Sequence, residues 1–181
     1  MNNDLQKLFD VYYNDTNWDT PMEYINKADG VLALLLKYNI KSMFDAGCGP
    51  RHWICNNKFA EHNIVYKGGD IVSGNVIHCN KHWPELDIQI HDMTTDPFPD
   101  VDLIFSSDVV IHLNNSDKLK FLKNFLNSQA NYLLVTHSGD SPYLAKNIDF
   151  EYTSGFPFQE VNWHIDPWNF PKELDTLIDQ S

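Results

Sequence analysis

The segment Asp45-Ala46-Gly47-Cys48-Gly49 combines an acidic residue with two closely spaced glycines. The acid ends a short apolar run, and the glycines let the backbone turn sharply and approach a ligand with no Cβ in between. A helix that begins after such a loop points its N-terminal amides at the ligand and favours negative charge there. Two glycines also occur in plain turns, but the acid directly before them favours a ligand-binding loop.

Three further acidic residues stand at the ends of later apolar runs. Asp70 comes 25 residues after Asp45, which is about the length of one strand–helix–strand unit. A carboxylate at that spacing can accept two charge-assisted hydrogen bonds from the vicinal hydroxyls of a ribose. Asp92 and Asp108 follow the third and fourth apolar runs. The pattern predicts a nucleotide site, and solvated loop acids are the simpler alternative.

Short apolar segments alternate with helical segments over residues 41–140, which is typical of parallel βαβ units with right-handed crossovers. The predicted strands are Ser42–Asp45, Ile64–Asp70, Ile88–His91, Asp102–Ser106 and Tyr132–His137. The predicted helices are Leu5–Tyr13, Pro21–Tyr38, His52–Glu61, Ser73–Lys81 and Asp117–Leu126, the last capped by Ser116. Two short antiparallel edge strands are expected near Val161–His164 and Leu174–Ile178.

Composition narrows the classes of partner. Acidic residues outnumber basic ones 25 to 13, the formal net charge is -12, and Arg51 is the only arginine. This balance disfavours nucleic acids, whose binders carry basic patches, and anionic membrane surfaces. The longest apolar run, Val31–Leu36, is far shorter than the roughly 20 residues of a membrane-spanning helix. The N-terminus lacks signal-peptide features, and three cysteines form no disulfide framework. We therefore expect a cytoplasmic protein.

Two classes of nucleotide cofactor can be compared at the glycine loop. A dinucleotide site requires G-x-G-x-x-G, in which the third glycine allows close helix–strand packing. His52 stands at that third position, after Pro50 and Arg51. An NAD(P)-dependent oxidoreductase is therefore kept only as an alternative.

Residues 45–49 resemble motif I, D-x-G-x-G, of the class I S-adenosylmethionine-dependent methyltransferases. The resemblance continues in order along the chain through Gly68-Gly69-Asp70-Ile71, His91-Asp92-Met93 and the segment from Asp102 to Leu113, and it covers about residues 42–137. It implies S-adenosylmethionine as cofactor. It further implies binding of the methionine part by Asp45, Gly47, Cys48 and Gly49, of the ribose by Asp70 and Ile71, and of the adenine by Asp92 and Met93.

Some of these assignments have alternatives. Asp87, Asp96 and Asp100 lie near Asp92 and could each meet the adenine in its place. By the same resemblance Asp108 lies beside the transferable methyl group. The N-terminal helices of the family cover the methionine end, so Trp18 is expected to fold over the cofactor or to pack under this lid.

The expected fold is α/β, a Rossmann-like, open, mostly parallel sheet with helices on both faces and an antiparallel C-terminal edge. The 181 residues are expected to form a single domain. Within it, residues 1–40 form a helical lid, 41–140 the cofactor-binding core and 141–181 an aromatic-rich edge. Ligands of such sheets bind at the carboxyl ends of the strands.

Methyl transfer in this family proceeds by in-line displacement, so the protein mainly aligns the reactants. A base is needed only when the acceptor holds its proton. His112 is the preferred candidate, followed by His137 and Asp108, because imidazole titrates near neutral pH. Either histidine could instead be a packed, hydrogen-bonded side chain.

A metal site is not expected. The cluster His78-Cys79-Asn80-Lys81-His82, even with His52 and Cys55, does not match the paired spacing of structural zinc sites.

The acceptor is expected to be an oxygen or nitrogen of a small molecule or glycan building block. The aromatic C-terminal residues either complete the core or line the acceptor pocket, and residues 156–162 and 166–171 weakly resemble small bacterial and phage methyltransferases. Because Pro50-Arg51-His52 departs from the family's loop, a methyltransferase-like binding protein without turnover is a second alternative.

Overall fold

A computed structural model of the chain describes residues 23–50, 58–138, 147, 149–152 and 158–175. Its strands are β1 (Ser42–Ala46), β2 (Val65–Asp70), β3 (Asp87–Ile90), β4 (Leu103–Ser106) and β5 (Tyr132–Val135). Its helices are α1 (Glu23–Lys37), α2 (Lys58–Glu61), α3 (Ser73–His82) and α4 (Asn115–Leu126), and Val110–His112 form a 3-10 turn. The strands lie within one or two residues of their predicted bounds.

The five strands form one sheet in the order β3-β2-β1-β4-β5, and every neighbouring pair is parallel. From β1 the chain adds β2 and then β3 on one side. After β3 it crosses the sheet and adds β4 and then β5 on the other side of β1. The strand order reverses between β1 and β4, which is where an open α/β sheet binds its ligand. The α/β fold predicted from the alternating segments is confirmed.

The two faces of the sheet are both buried, as expected for parallel strands covered by helices. Alternate residues of β1 point to opposite faces, so Phe44 and Ala46 join one core cluster and Met43 joins the other. Helix α4 covers the first face through Phe121 and Leu122. Helices α1 and α3 cover the second face through Ala28, Val31, Leu35, Val76 and Cys79.

The antiparallel edge is not observed in the described residues after β5. Val161–His164 form no strand, and the other expected segment lies partly outside the described residues. The reason is local: the amide of Ser138 donates to the carbonyl of Val161 at 2.9 Å, but the Val161 amide donates to the Ser138 hydroxyl at 3.0 Å. A side chain thus takes the place of a backbone partner, and no ladder extends from this point.

The start of α4 also differs from the expectation. The helix begins at Asn115, and its cap is Asn114, whose side-chain oxygen accepts from the amide of Asp117 at 2.9 Å, so Ser116 is not the cap. Asparagine is as good an N-cap as serine, and this bond satisfies one of the open helix-start amides. Asn39 and Asn63 adopt positive φ just after α1 and α2, which is a common way to end a helix.

Among the helices of the described residues, none is long and apolar enough to cross a membrane. Residues 1–22, with Trp18 and the first predicted helix, lie outside the described residues, as do residues 51–57.

Candidate functional site

A cleft opens to solvent at the carboxyl ends of the strands, where the strand order reverses. Eight residues singled out in the sequence line it: Gly47, Gly49, Asp70, Ile71, Asp92, Met93, Asp108 and His112. Sequence reasoning assigned no role to four others that line it: His91, Thr94, Val109 and Leu113. The parallel sheet thus places side chains from four strand ends around one space.

The two glycines of the first loop have different surroundings. Gly47 has φ +87°, and a Cβ on it would lie 2.5 Å from a methyl group of Val109, so only glycine fits between β1 and the residues that follow β4. Gly49 has φ +65°, and a Cβ on it would meet no atom within 4 Å. Open space therefore lies beside this backbone at the cleft.

Asp70 ties the first loop to the end of β2. It is buried, with one carboxylate oxygen accepting from the amide of Gly49 at 2.7 Å and the other accepting from the amide of Val72 at 2.8 Å. Backbone amides of this kind stabilise an ionised carboxylate in place of water. The loop and the acid are consequently one preformed unit.

Asp92 is the acid of the third strand end. It is buried, and one of its oxygens accepts from the amide of Thr94 at 2.9 Å and from the Thr94 hydroxyl at 2.6 Å. Its own amide donates to a carboxylate oxygen of Asp96 at 2.9 Å, so Asp96 closes the turn instead of facing the cleft. Asp87 and Asp100 are exposed and do not line the cleft.

Asp45 and Cys48 lie behind the glycine loop, and neither lines the cleft. The buried Asp45 accepts a hydrogen bond from the hydroxyl of Tyr66 at 3.0 Å. Burial, together with the nearby charges of Asp70 and Asp45, raises the pKa of the Cys48 thiol well above its ordinary value. Cys48 is therefore a small, protonated packing residue, and Asp45 supports the loop from below.

Asp108 sits at the other end of the cleft in a left-handed backbone conformation, with φ +59°. The ammonium of Lys27 on α1 lies 3.1 Å from its carboxylate, and the hydroxyl of Ser107 donates to the same oxygen at 3.0 Å. Burial alone raises the pKa of Asp108, but Lys27 and the hydrogen bonds from Lys27, Ser107 and Thr136 outweigh it, and the pKa falls below its ordinary value. Asp108 is thus ionised and a poor proton acceptor.

The two candidate histidines have different surroundings. His112 is half-buried, lines the cleft, and has its ring centre 6.1 Å from that of Phe158. His137 is exposed and does not line the cleft; its ring packs edge-on against His164, and its Nδ1 lies 3.4 Å from the amide of Trp163. The cleft therefore contains one of the two.

His91 is the titratable residue among the four cleft residues to which the sequence assigned no role. It is buried, and its ring packs between Phe44 and Phe98, with ring centres 4.8 and 5.4 Å away. Burial lowers the pKa of His91, and its Nε2 has no hydrogen-bond partner in the described residues. Its place directly before Asp92 at a strand end was the available signal.

In the part of the chain that the structure describes, no three His, Cys, Asp or Glu side chains gather as a metal site would require. On α3 the rings of His78 and His82 contact each other in a tilted arrangement with centres 4.4 Å apart, beside Trp83. His52 and Cys55 lie outside the described residues.

No protein-family model matches the chain, and no curated protein matches it. Solved structures do. The magnesium protoporphyrin IX methyltransferase of Synechocystis PCC 6803 with bound S-adenosylmethionine has a TM-score of 0.59 at 16% identity, with 75% of this chain and 76% of that chain covered.

Two further structures are similar at the same level. The PH0226 protein of Pyrococcus horikoshii OT3 has a TM-score of 0.55 at 16% identity, covering 70% of this chain and 66% of that one. The methyltransferase domain of a bacterial Hen1 has a TM-score of 0.54 at 15% identity, covering 63% and 64%. With its parallel five-stranded sheet and its cleft at the strand ends, the chain has the fold of the class I S-adenosylmethionine-dependent methyltransferases.

Proposed function

We propose that the protein is a methyltransferase that uses S-adenosylmethionine. The observation that carries this proposal is the convergence of the glycine loop, Asp70 and Asp92, from three successive strand ends, on one cleft. The similar fold of a methyltransferase crystallised with S-adenosylmethionine supports it. Three acids at one cleft, Asp108 included, also suit a ligand that carries a positive sulfonium.

The cleft residues fit the parts of this cofactor. Gly49 leaves open space beside its backbone, which suits the methionine part next to the glycine loop. Asp70 would accept hydrogen bonds from the ribose hydroxyls, with Ile71 beside it. Asp92 would accept from the adenine amino group, and Met93 would pack on the ring. The buried Nε2 of His91, which has no hydrogen-bond partner among the described residues, is a further polar atom at this end, as expected where a ligand completes the hydrogen bonding.

When bound, the cofactor supplies an electrophilic methyl group on sulfur. The chain's own contribution is to align the acceptor with that methyl group and to exclude water. His112 is the cleft residue suited to take the acceptor's proton, because imidazole titrates near neutral pH. Asp108 stays ionised at the same end and stabilises positive charge. His137, outside the cleft, is the weaker candidate base.

A more specific proposal concerns the methyl acceptor and the cellular compartment. We place the acceptor among small molecules or glycan building blocks with a reactive oxygen or nitrogen. The net charge of -12 supports an acceptor other than nucleic acid. Cys48 is a free, buried thiol, which supports a reducing, cytoplasmic setting. Residues 1–40 would cover the cofactor, with Trp18 among them.

Calorimetry with S-adenosylhomocysteine, S-adenosylmethionine and NAD tests the cofactor class. We expect the first two to bind and NAD not to bind. Asp70→Ala should abolish detectable binding while circular dichroism shows an intact fold. The matched control is Asp87→Ala, which removes an exposed acid on β3 whose carboxylate lies 3.7 Å from Lys67, away from the cleft.

The outcomes separate the alternatives. Binding of NAD in place of S-adenosylhomocysteine would overturn the proposal in favour of an oxidoreductase. Cofactor binding without methyl transfer to any compound of a broad acceptor library would favour a binding protein without turnover. An equal loss of cofactor binding in Asp70→Ala and Asp87→Ala would show that the cleft is not the cofactor site.

A further inference from the structure

We propose, resting on the function proposed above, that the methyl acceptor is a small aromatic alcohol of the phenol class. Its ring would pack on Phe158, and its hydroxyl would face His112. The evidence is an exposed aromatic side chain that is held rigidly beside the end of the cleft where Asp108 and His112 lie.

Phe158 is 65% exposed. It is the only aromatic side chain among the exposed large hydrophobic residues in the described parts of the chain; the others are aliphatic. An exposed phenylalanine leaves apolar surface in water, and beside a cleft that surface is available to pack on an apolar ligand. The ring centre of Phe158 lies 6.1 Å from that of His112, which lines the cleft, so the two surfaces are continuous.

The backbone next to Phe158 is fixed to the wall of the cleft. The amide of Gln159 donates to the carbonyl of Ile111 at 2.8 Å, within the 3-10 turn that carries His112. The side-chain oxygen of Gln159 accepts from the ammonium of Lys118 at 3.3 Å, and the same ammonium donates to the carbonyl of Leu113. The exposure of Phe158 is therefore not that of a loose chain end.

Lys118 anchors the corner of the cleft that is formed by His112 and Phe158. Its side chain is fully buried, and a buried ammonium is unfavourable unless it makes strong hydrogen bonds. The structure places this charge where it joins α4, the 3-10 turn and the segment bearing Phe158. The segment bearing Phe158 is thereby anchored beside His112, and the two ring planes are inclined by 58°.

The shape and polarity of the corner favour a flat, neutral ring. The ring of Phe158 contacts that of His112 and leaves its exposed surface open to a planar molecule, and Leu113 adds an apolar side on the cleft wall. Lys27, which reaches the cleft at Asp108, is already paired with that carboxylate, so it offers an anionic acceptor little attraction. Phe158 and Leu113 offer apolar surface to a ring, whereas a sugar would need hydrogen-bonding side chains on several sides.

The reaction step balances as follows. The phenolic oxygen attacks the methyl carbon, the oxygen–carbon bond forms as the sulfur–carbon bond breaks, and the bonding pair stays on sulfur, which becomes a neutral thioether. The phenolic proton passes to the imidazole of His112 and then to solvent. The products are a methyl ether and S-adenosylhomocysteine, and no oxidant or metal is required.

The test begins with S-adenosylhomocysteine binding, which must be intact for the acceptor to be examined. Methyl transfer is then measured from labelled S-adenosylmethionine to matched phenols, cyclohexanols and monosaccharides. We expect transfer to phenols only. Phe158→Ala should raise KM for the phenol about tenfold, because ring stacking and apolar burial are both lost. Phe158→Trp should restore most of the affinity.

The controls keep the two proposals apart. Leu126→Ala removes another exposed apolar side chain, on α4 and outside the cleft, and should leave KM unchanged. Transfer to cyclohexanols or sugars, transfer to none of the panel, or an unchanged KM in Phe158→Ala would overturn the aromatic acceptor while normal S-adenosylhomocysteine binding left the methyltransferase proposal standing. Failure of wild-type protein to bind S-adenosylhomocysteine would overturn both.

Discussion

The two ends of the cleft are built in different ways. At the end formed by β1, β2 and β3, Asp70 and Asp92 are buried and held by backbone amides of neighbouring loops. At the other end Asp108 has a largely exposed side chain, and Phe158 belongs to a segment more than forty residues further along the chain. The first end is preformed by the sheet, whereas the second depends on contacts between distant segments.

This contrast fits the division of labour that we propose. A cofactor of constant structure suits a rigid site in which each acid already has backbone partners. An acceptor-binding end can vary by changing the loops and the C-terminal segment, with the sheet unchanged. Perturbing the two ends should therefore give separable effects on stability, cofactor binding and turnover.

The largest effect is expected from Gly47→Ala, at the first end. The positive φ and the 2.5 Å approach to Val109 mean that either the loop or the residues after β4 must shift. We expect the free energy of unfolding to fall by about 3 kcal/mol, together with loss of S-adenosylhomocysteine binding. Urea denaturation and calorimetry measure both.

Gly74→Ala is the matched control, because a Cβ there meets no atom within 4 Å and the residue lies in α3. It should be neutral or stabilise the protein by about 0.5–1 kcal/mol. Equal stability of the two variants would show that the packing of Gly47 on Val109 is unimportant.

The next effect concerns His112, at the second end. His112→Gln should lower the rate of methyl transfer to a phenol about 100-fold at pH 7, with the affinity for S-adenosylhomocysteine unchanged. Above the pKa of the phenol itself the acceptor needs no base, so the defect should shrink as pH rises. A pH-independent loss of rate would mean that His112 only shapes the pocket.

A smaller effect is expected from the buried Lys118. Burial lowers the pKa of Lys118 from 10.5 to about 8. Between these values the unfolded chain binds more protons at this site than the folded chain, so its contribution to the free energy of unfolding rises with pH. From pH 8 to 9.5 wild type should gain about 1.5 kcal/mol relative to Lys118→Met.

Comparing the two proteins removes the contributions of groups that they share, such as the thiol of Cys48. Urea denaturation at both pH values gives the difference. If wild type and Lys118→Met change in parallel over this range, then the lysine is not held in a strongly desolvated state, and the rigidity argued for Phe158 loses its support.

The local sequence pattern was sufficient to predict the fold and the residues at one end of the cleft. Short apolar segments predicted all five strands, the first four of them ending in or followed by an acid, and parallel strands necessarily bring their carboxyl ends to one edge. That is why Asp70 and Asp92 could be placed beside the glycine loop before any coordinates were known. Asp45 and Cys48 were placed in the right loop, but whether a side chain faces the cleft or lies behind it depends on packing.

Tertiary structure alone decided the rest, because the deciding contacts join residues far apart in the chain. The ring of Phe158 meets His112 across 46 positions, and Gln159 meets Lys118 across 41. The exposure of His137 and the absence of an edge strand at Val161 likewise follow from how the C-terminal segment packs after β5. Side-chain type and local spacing determine whether a segment forms a helix or a strand and which residues stand at its ends. The burial of a side chain and its hydrogen-bond partners are determined only when the helices and the C-terminal segment pack on the sheet.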